Sequence, residues 1–300
     1  MDGFLAHVAE TGTPTDFLSF HAKGRPSFVD GHVRMGISTQ LQEIDNGFKK
    51  IAAVRALAAR PIVIGESDPE GCAACPGPQN AYRNGTMYSS YTAASFARVW
   101  DLAHKHQVNL EGVLSWAFEF EDQPWFAGYR QLSTNGVNLP VLNVFRMMAK
   151  LTGERVAVES SADPGMNAIM RDGVRGAPDV SAIASLAPKK LAIMVWHYHD
   201  DDLPGADAAV QITVSGLPVA GDGARLTHYR VDETHSNAYA EWKRMGSPIA
   251  PTRPQYIRLE AAGQLERIDG PASVRVAEHQ ATINFALPRQ GVSLIVIEWE

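Results

Sequence analysis

Cysteine is almost missing from this sequence of 300 residues: two occur, Cys72 and Cys75, spaced C-x-x-C. A zinc site needs about four ligands, and no second C-x-x-C or H-x-H lies nearby to complete one. A thioredoxin-like motif should open a helix, whereas here Pro76-Gly77-Pro78 follows. The pair therefore reads as part of a loop, either as free thiols or as a local disulfide. Concentrated positive charge is missing too. The net charge is -6, from 27 Lys and Arg against 33 Asp and Glu, and no basic cluster offers a phosphate backbone or an anionic membrane a footing. Neither nucleic acid nor a membrane is expected as a partner. No apolar run approaches the roughly 18 residues of a membrane span. The opening MDGFLAHVAETG has neither the charged start nor the apolar core of a signal peptide. The expected location is cytoplasmic, with a periplasmic or secreted one left open to a signal lying upstream. Internal repeats and low-complexity tracts are also lacking.

What is present is a folding composition, 45% hydrophobic and 20% charged, long enough for one large domain or two medium ones. Its grammar changes near residue 151. Before that point short apolar runs alternate with helical patterns, as in α/β folds. Strands are expected at Asp16–His21, Pro61–Gly65 and Gly112–Phe118, with helices at about 39–59, 90–107 and 139–151. Phe4 to Ala9 reads as the end of a further helix. After Gly153 short stretches rich in β-branched residues recur between Gly, Pro and Asp. Strands are expected at 155–159, 168–171, 180–186, 191–198, 209–214, 225–231, 273–276, 281–285 and 292–299, with a short helix at about 237–245. That pattern predicts a β-sandwich over residues 152–300. The first half holds three β/α units, whereas a closed (β/α)8 barrel needs eight units and about 250 residues. Residues 1–151 thus form either a small open sheet or the C-terminal part of a barrel.

Chemistry gathers at the carboxyl ends of parallel strands, where loops turn side chains into one crevice. The three expected strands end on Phe20-His21-Ala22-Lys23-Gly24, on Gly65-Glu66-Ser67-Asp68, and on Trp116-Ala117-Phe118-Glu119-Phe120-Glu121-Asp122, with Trp125 beyond. Aromatic rings beside carboxylates suit sugars, whose apolar faces stack on rings while their hydroxyls bond to acids. Each group also has a plainer reading. Glu66 serves equally as a loop cap or an arginine's partner, His21 as a structural histidine, Trp116 as core, and 119–122 as a solvated loop. The coincidence at three strand ends is what favours carbohydrate chemistry.

These motifs resemble the family 39 glycoside hydrolases, which include β-xylosidases and, as a relative, α-L-iduronidase. DFLSFHAKG, residues 16–24, is similar to the family's sixth barrel strand, D-x-x-S-x-H-x-Y-G; RPIVIGE is similar to the seventh, which ends in the nucleophile. LSWAFEFEDQPW and LSTNGVNLPVLNVFRMMAKL resemble the eighth strand, its loop and the last barrel helix. The resemblance covers about residues 4–151 by motif and implies a TIM barrel, here only strands six to eight, followed by a β-sandwich. It implies retaining hydrolysis of terminal β-linked xylose, or a similar sugar, through a covalent intermediate on Glu66, with no cofactor and no metal. His21, Trp116, Phe118, Glu121, Asp122 and Trp125 would bind the sugar. Lys23 stands where the family usually has Tyr. The family's acid/base glutamate belongs to an Asn-Glu-Pro motif, and this sequence contains none. A retaining mechanism needs two carboxyl groups about 5–5.5 Å apart, and Glu70, Glu119 or Glu121 would have to reach the far side of the bond to serve. The partner expected first is an oligosaccharide or glycoside. A second copy, or a complementing chain over the open barrel edge, is the other. The alternative function is a non-catalytic carbohydrate-binding or scaffold chain. On the enzymatic reading Glu66 faces His21 and Trp116 across a sugar-sized hollow, with no cation locking it.

Overall fold

Three parallel strands, Leu18–Lys23, Ile62–Asp68 and Leu110–Val113, carry the first half, with Ile62–Asp68 in the middle. The structure is a computed structural model describing residues 1–300, apart from the side chain of Asp222. Leu18, Ile62 and Ile64 turn one face of this sheet onto the helix Ile37–Ala52, which answers with Ile37, Leu41, Ile44, Phe48 and Ile51. Each such fully buried side chain contributes about 1.5–3 kcal/mol. Phe20 meets Phe48 edge to face at 5.9 Å. The three strands form an open sheet, and among the described residues no further strand pairs with either edge to close a barrel.

The helix Thr86–His106 is buried nearly all round, from Thr86 to Ala103. A helix without a wet face must lie between layers, and this one packs against the three-stranded sheet on one side and the sheet of the second half on the other. Ala93, Ala94, Ser95 and Ala97 let its backbone come close.

That second sheet is antiparallel, in the order Glu266–Arg267, Gly221–Val231, Val292–Trp299, Lys190–Tyr198, Asp179–Ala187 and Glu154–Val156; Ser273–Val276 also pairs with Gly221–Val231. Its central strand Lys190–Tyr198 is buried on both faces, which is why it reads as an unbroken apolar run. Leu191, Ile193 and Val195 face a two-stranded sheet, Ala208–Ser215 with Gln280–Leu287, across one core. Ala192, Met194, Trp196 and Tyr198 face the helices of the first half and belong to its core.

Several elements depart from the sequence pattern, among them the helix expected at 39–59, which ends at Ala52. Residues 168–171, expected as a strand, lie in the helix Met166–Asp172; Ala, Met and Arg favour a helix, Gly165 and Gly173 bracket it at positive φ, and Ile169 is its buried anchor. The third strand stops at Val113 instead of Phe118, because Ser115 and Trp116 turn toward Asp68. A helix at Arg253–Ala262 was not expected from apolar spacing, since it buries only Leu259, yet Thr252 and Gln255 form a capping box at its start. A hairpin of Ser27–Val29 and His32–Arg34 also forms around Asp30-Gly31, both at positive φ. No helix among the described residues is long and apolar enough to cross a membrane.

Candidate active site

A β-bulge aims the site. Strand pairing runs Phe20 to Ile64 and then His21 to Glu66, so Gly65 has no partner. Ile64 and Ser67 both face the buried side, and the extra residue between them turns Glu66 to the opposite face, beside His21. Two residues further, Lys23 lies across from Asp68 on that same face. Gly65 is small for a reason: a β-carbon there would come within 2.9 Å of Ser19 Oγ and 3.5 Å of the His21 ring.

The Lys23 ammonium donates to Glu66 Oε2 and, at 2.6 Å, to Asp68 Oδ2. Glu66 Oε1 lies 3.9 Å from His21 Nδ1, beyond hydrogen-bond distance. The hydrogen bond from Lys23 holds the Glu66 carboxyl below the ordinary glutamate range, against the upward push of partial burial. The carboxylate free of cations that the sequence suggested is therefore not what forms; parallel pairing sets Lys23 across from Asp68, on the face that Glu66 shares, and its ammonium reaches both carboxylates. The hollow is also an open face. Glu66 keeps 25% of its side chain exposed and His21 58%.

Beneath Glu66 lies a buried charge network. Asp68, wholly buried, accepts from Ser115 Oγ at 2.7 Å and the Trp116 amide at 3.4 Å, and pairs with Arg130 Nη1 at 2.7 Å. Arg130 Nε reaches Glu70 at 2.6 Å, and Arg83 Nη2 lies 3.1 Å from the same oxygen. Burial raises the Glu70 carboxyl, with the two guanidinium groups opposing it. Arg83 also donates to the carbonyls of Cys72, Ala73 and Cys75, the loop that a Cys72–Cys75 disulfide closes. The C-x-x-C pair is thus a local disulfide in a loop.

Of the other residues singled out by sequence, Trp116 is held next to Asp68 by its backbone and leaves its ring half exposed, edge to face with Phe120 at 5.6 Å. Its peptide bond to Ala117 is cis. Phe118 is 63% exposed. Glu121 and Asp122 are exposed on the turn that follows, and among the described residues no hydrogen bond or ion pair joins them to Glu66. Trp125 packs instead with Phe126 and Tyr256, and Phe126 in turn meets Tyr239 and Trp242 of the second half. Neither Glu70 nor Glu119 is a free acid: Glu70 is claimed by Arg83 and Arg130, and Glu119 caps the Asn135-Gly136 turn through the Gly136 amide at 3.1 Å and Ser133 Oγ. Asp68 was legible in principle, two residues after Glu66 and hence on its face; Arg130 carries no signal in the sequence. Among the described residues no group of three or more His, Cys, Asp or Glu side chains gathers as metal ligands do.

The model of glycosyl hydrolases family 39 matches residues 1–277. The chain belongs to that family. A β-xylosidase of Caldicellulosiruptor saccharolyticus is 22% identical over 144 residues, 48% of this chain and 26% of its own length. The crystal structure of a family 39 enzyme from Xanthomonas axonopodis pv. citri superposes with a TM-score of 0.72 at 17% identity, over 100% of this chain and 58% of the other. A monomeric β-xylosidase from Caulobacter crescentus CB15 gives 0.73 at 17% identity, over 99% and 58%. The family 39 chain therefore spans about a quarter of that curated relative and just over half of these structures, and at such identities the likeness speaks for the fold alone.

Proposed function

We propose that this chain carries the nucleophile side of a retaining glycoside hydrolase of β-xylosidase type, acting on terminal β-linked xylose or a similar sugar. Glu66 attacks the anomeric carbon: a lone pair of its carboxylate forms the new C–O bond as the bond to the leaving oxygen breaks, and the bonding electrons leave with the aglycone. Trp116 and Phe118 supply apolar surface for the sugar ring, and His21 lies beside the reacting centre. The observation that carries the reading is the Glu66 carboxyl at the carboxyl end of the central parallel strand, one oxygen paired with Lys23 and the other free. Residues 1–151 are read as strands six to eight of a barrel and residues 152–300 as its β-sandwich.

Glu70 and Glu119 are both engaged away from Glu66, which sets the choice of test. General acid catalysis contributes about 10²- to 10⁴-fold, but a dinitrophenolate leaves without a proton. Incubating the chain with 2,4-dinitrophenyl 2-deoxy-2-fluoro-β-D-xyloside should attach one fluorosugar to the Glu66 peptide, as read by mass spectrometry, and Glu66→Gln should abolish it. Label on other peptides, or none, removes the reading. The engagement of Glu70 and Glu119 elsewhere favours a second reading, a non-catalytic carbohydrate-binding chain. Xylobiose binding by calorimetry without fluorosugar attachment would support that one.

A further inference from the structure

We propose that Lys23, seated on Asp68, is the positioning residue of this site: it takes Oε2 of Glu66 and leaves Oε1 as the attacking oxygen. The proposal rests on the reading of Glu66 as nucleophile.

Three observations carry it. The seat is buried and fully engaged: Asp68 has no exposed side-chain surface and is bound by Ser115, the Trp116 amide, Arg130 and Lys23 itself. Lys23 is fixed at both ends, its amide donating to Glu43 Oε2 at 2.8 Å while its ammonium bridges Asp68 and Glu66. The two oxygens of Glu66 are unlike, since Oε2 accepts from the ammonium and Oε1 lies 3.9 Å from the nearest cationic candidate, His21 Nδ1.

Charge balance excludes the rival role for Lys23, recognition of a sugar carboxylate. Lys23, Arg130 and Arg83 face Glu66, Asp68 and Glu70, three cations against three anions. The ammonium therefore offers an acidic sugar no uncompensated charge. What it does offer is direction. A charge-assisted hydrogen bond to one carboxylate oxygen fixes the plane of the group, and orientation of a reacting atom is worth about 10²-fold per ångström of misplacement. When Oε1 bonds to the anomeric carbon the carboxylate becomes an ester, and Oε2 stays on Lys23 as its carbonyl oxygen. In hydrolysis of that ester the same ammonium receives the returning negative charge.

The test separates positioning from protonation. Rates of fluorosugar attachment from the dinitrophenyl fluoroxyloside are measured from pH 3 to 8 for the chain, for Lys23→Met and for Lys23→Arg, while Glu66 is titrated by carboxyl 13C NMR and assigned with Glu66→Gln. Compared on the plateau above each variant's own Glu66 titration, Lys23→Met should react about 10- to 100-fold more slowly, with Lys23→Arg largely rescued. The Glu66 titration should move to higher pH in Lys23→Met. Equal or faster attachment by Lys23→Met on that plateau, or an unmoved titration, overturns the proposal. Failure of the unaltered chain to react at any pH would instead defeat the nucleophile reading, and the NMR titration still reports whether Lys23 holds Glu66.

Discussion

Asp68 Oδ1 meets Arg130 Nη1 at 2.7 Å, and neither side chain has any exposed surface. Removing one partner of such a pair strands the other charge in a medium that cannot solvate it, at a cost of about 3–5 kcal/mol. Arg130 also serves Glu70, so Arg130→Met should lie at the upper end of that range. Urea unfolding midpoints provide the measurement. A loss below about 1 kcal/mol would show that the network under Glu66 is not an anchor.

The two halves share a core, and one polar triad marks the seam. Arg98 on the helix Thr86–His106 pairs with Asp179 at 2.8 Å, and Trp196 Nε1 donates to the same carboxylate at 2.8 Å. Burial raises the Asp179 carboxyl, with Arg98 opposing it. Far-UV and near-UV circular dichroism should therefore report one coincident transition, and Arg98→Leu should shift both signals by the same amount. Two separated transitions would contradict a shared core.

Acid should stabilise the chain through one residue. Burial pushes Asp200 up to about 7 from an unperturbed 3.8, although Tyr198 OH and the Val174 amide donate to it. Between those two values the folded state binds a proton that the unfolded state releases, so this contribution falls as pH rises toward 7 and is fully lost above it. The difference in unfolding free energy between the chain and Asp200→Asn should change with pH across 4–7, by up to about 4 kcal/mol. A pH-independent difference would mean that Asp200 is ionised throughout.

The disulfide should matter little to the site. Cys72–Cys75 closes a loop of sequence separation 3, for which loop entropy amounts to about 2 kcal/mol. Its carbonyls are held independently by Arg83, and Ala73 also accepts from the Arg130 amide at 2.8 Å. The double variant Cys72→Ser/Cys75→Ser should lose no more than that in urea titrations and keep fluorosugar attachment. Loss of attachment would tie the loop to Glu66 more closely than these contacts suggest.

Local pattern was legible where one residue's neighbours decide its state. Ser273–Val276 and Val292–Trp299 form as the β-branched runs suggest, and Asn237 caps the short helix after it by accepting from the Ala240 amide at 3.0 Å. Residues 168–171 were misread because four residues cannot separate a strand from one helical turn. The third strand was read too long because nothing in LSWAF reveals that Ser115 will be drawn to Asp68.

For the site, chain order alone put Glu66 at the end of an apolar run and Asp68 two positions on, and the motifs of residues 16–24 and 60–66 pointed to a family of glycoside hydrolases. Tertiary structure decided which of these groups meet. Whether Lys23 faces Glu66 depends on parallel register and on the bulge at Gly65, and the arrival of Arg130 under Asp68 depends on the path of a loop far along the chain. The reason is physical: side-chain type and spacing set what a segment prefers by itself, but the energy of a charge pair exists only once the backbone has brought both partners within a few ångströms.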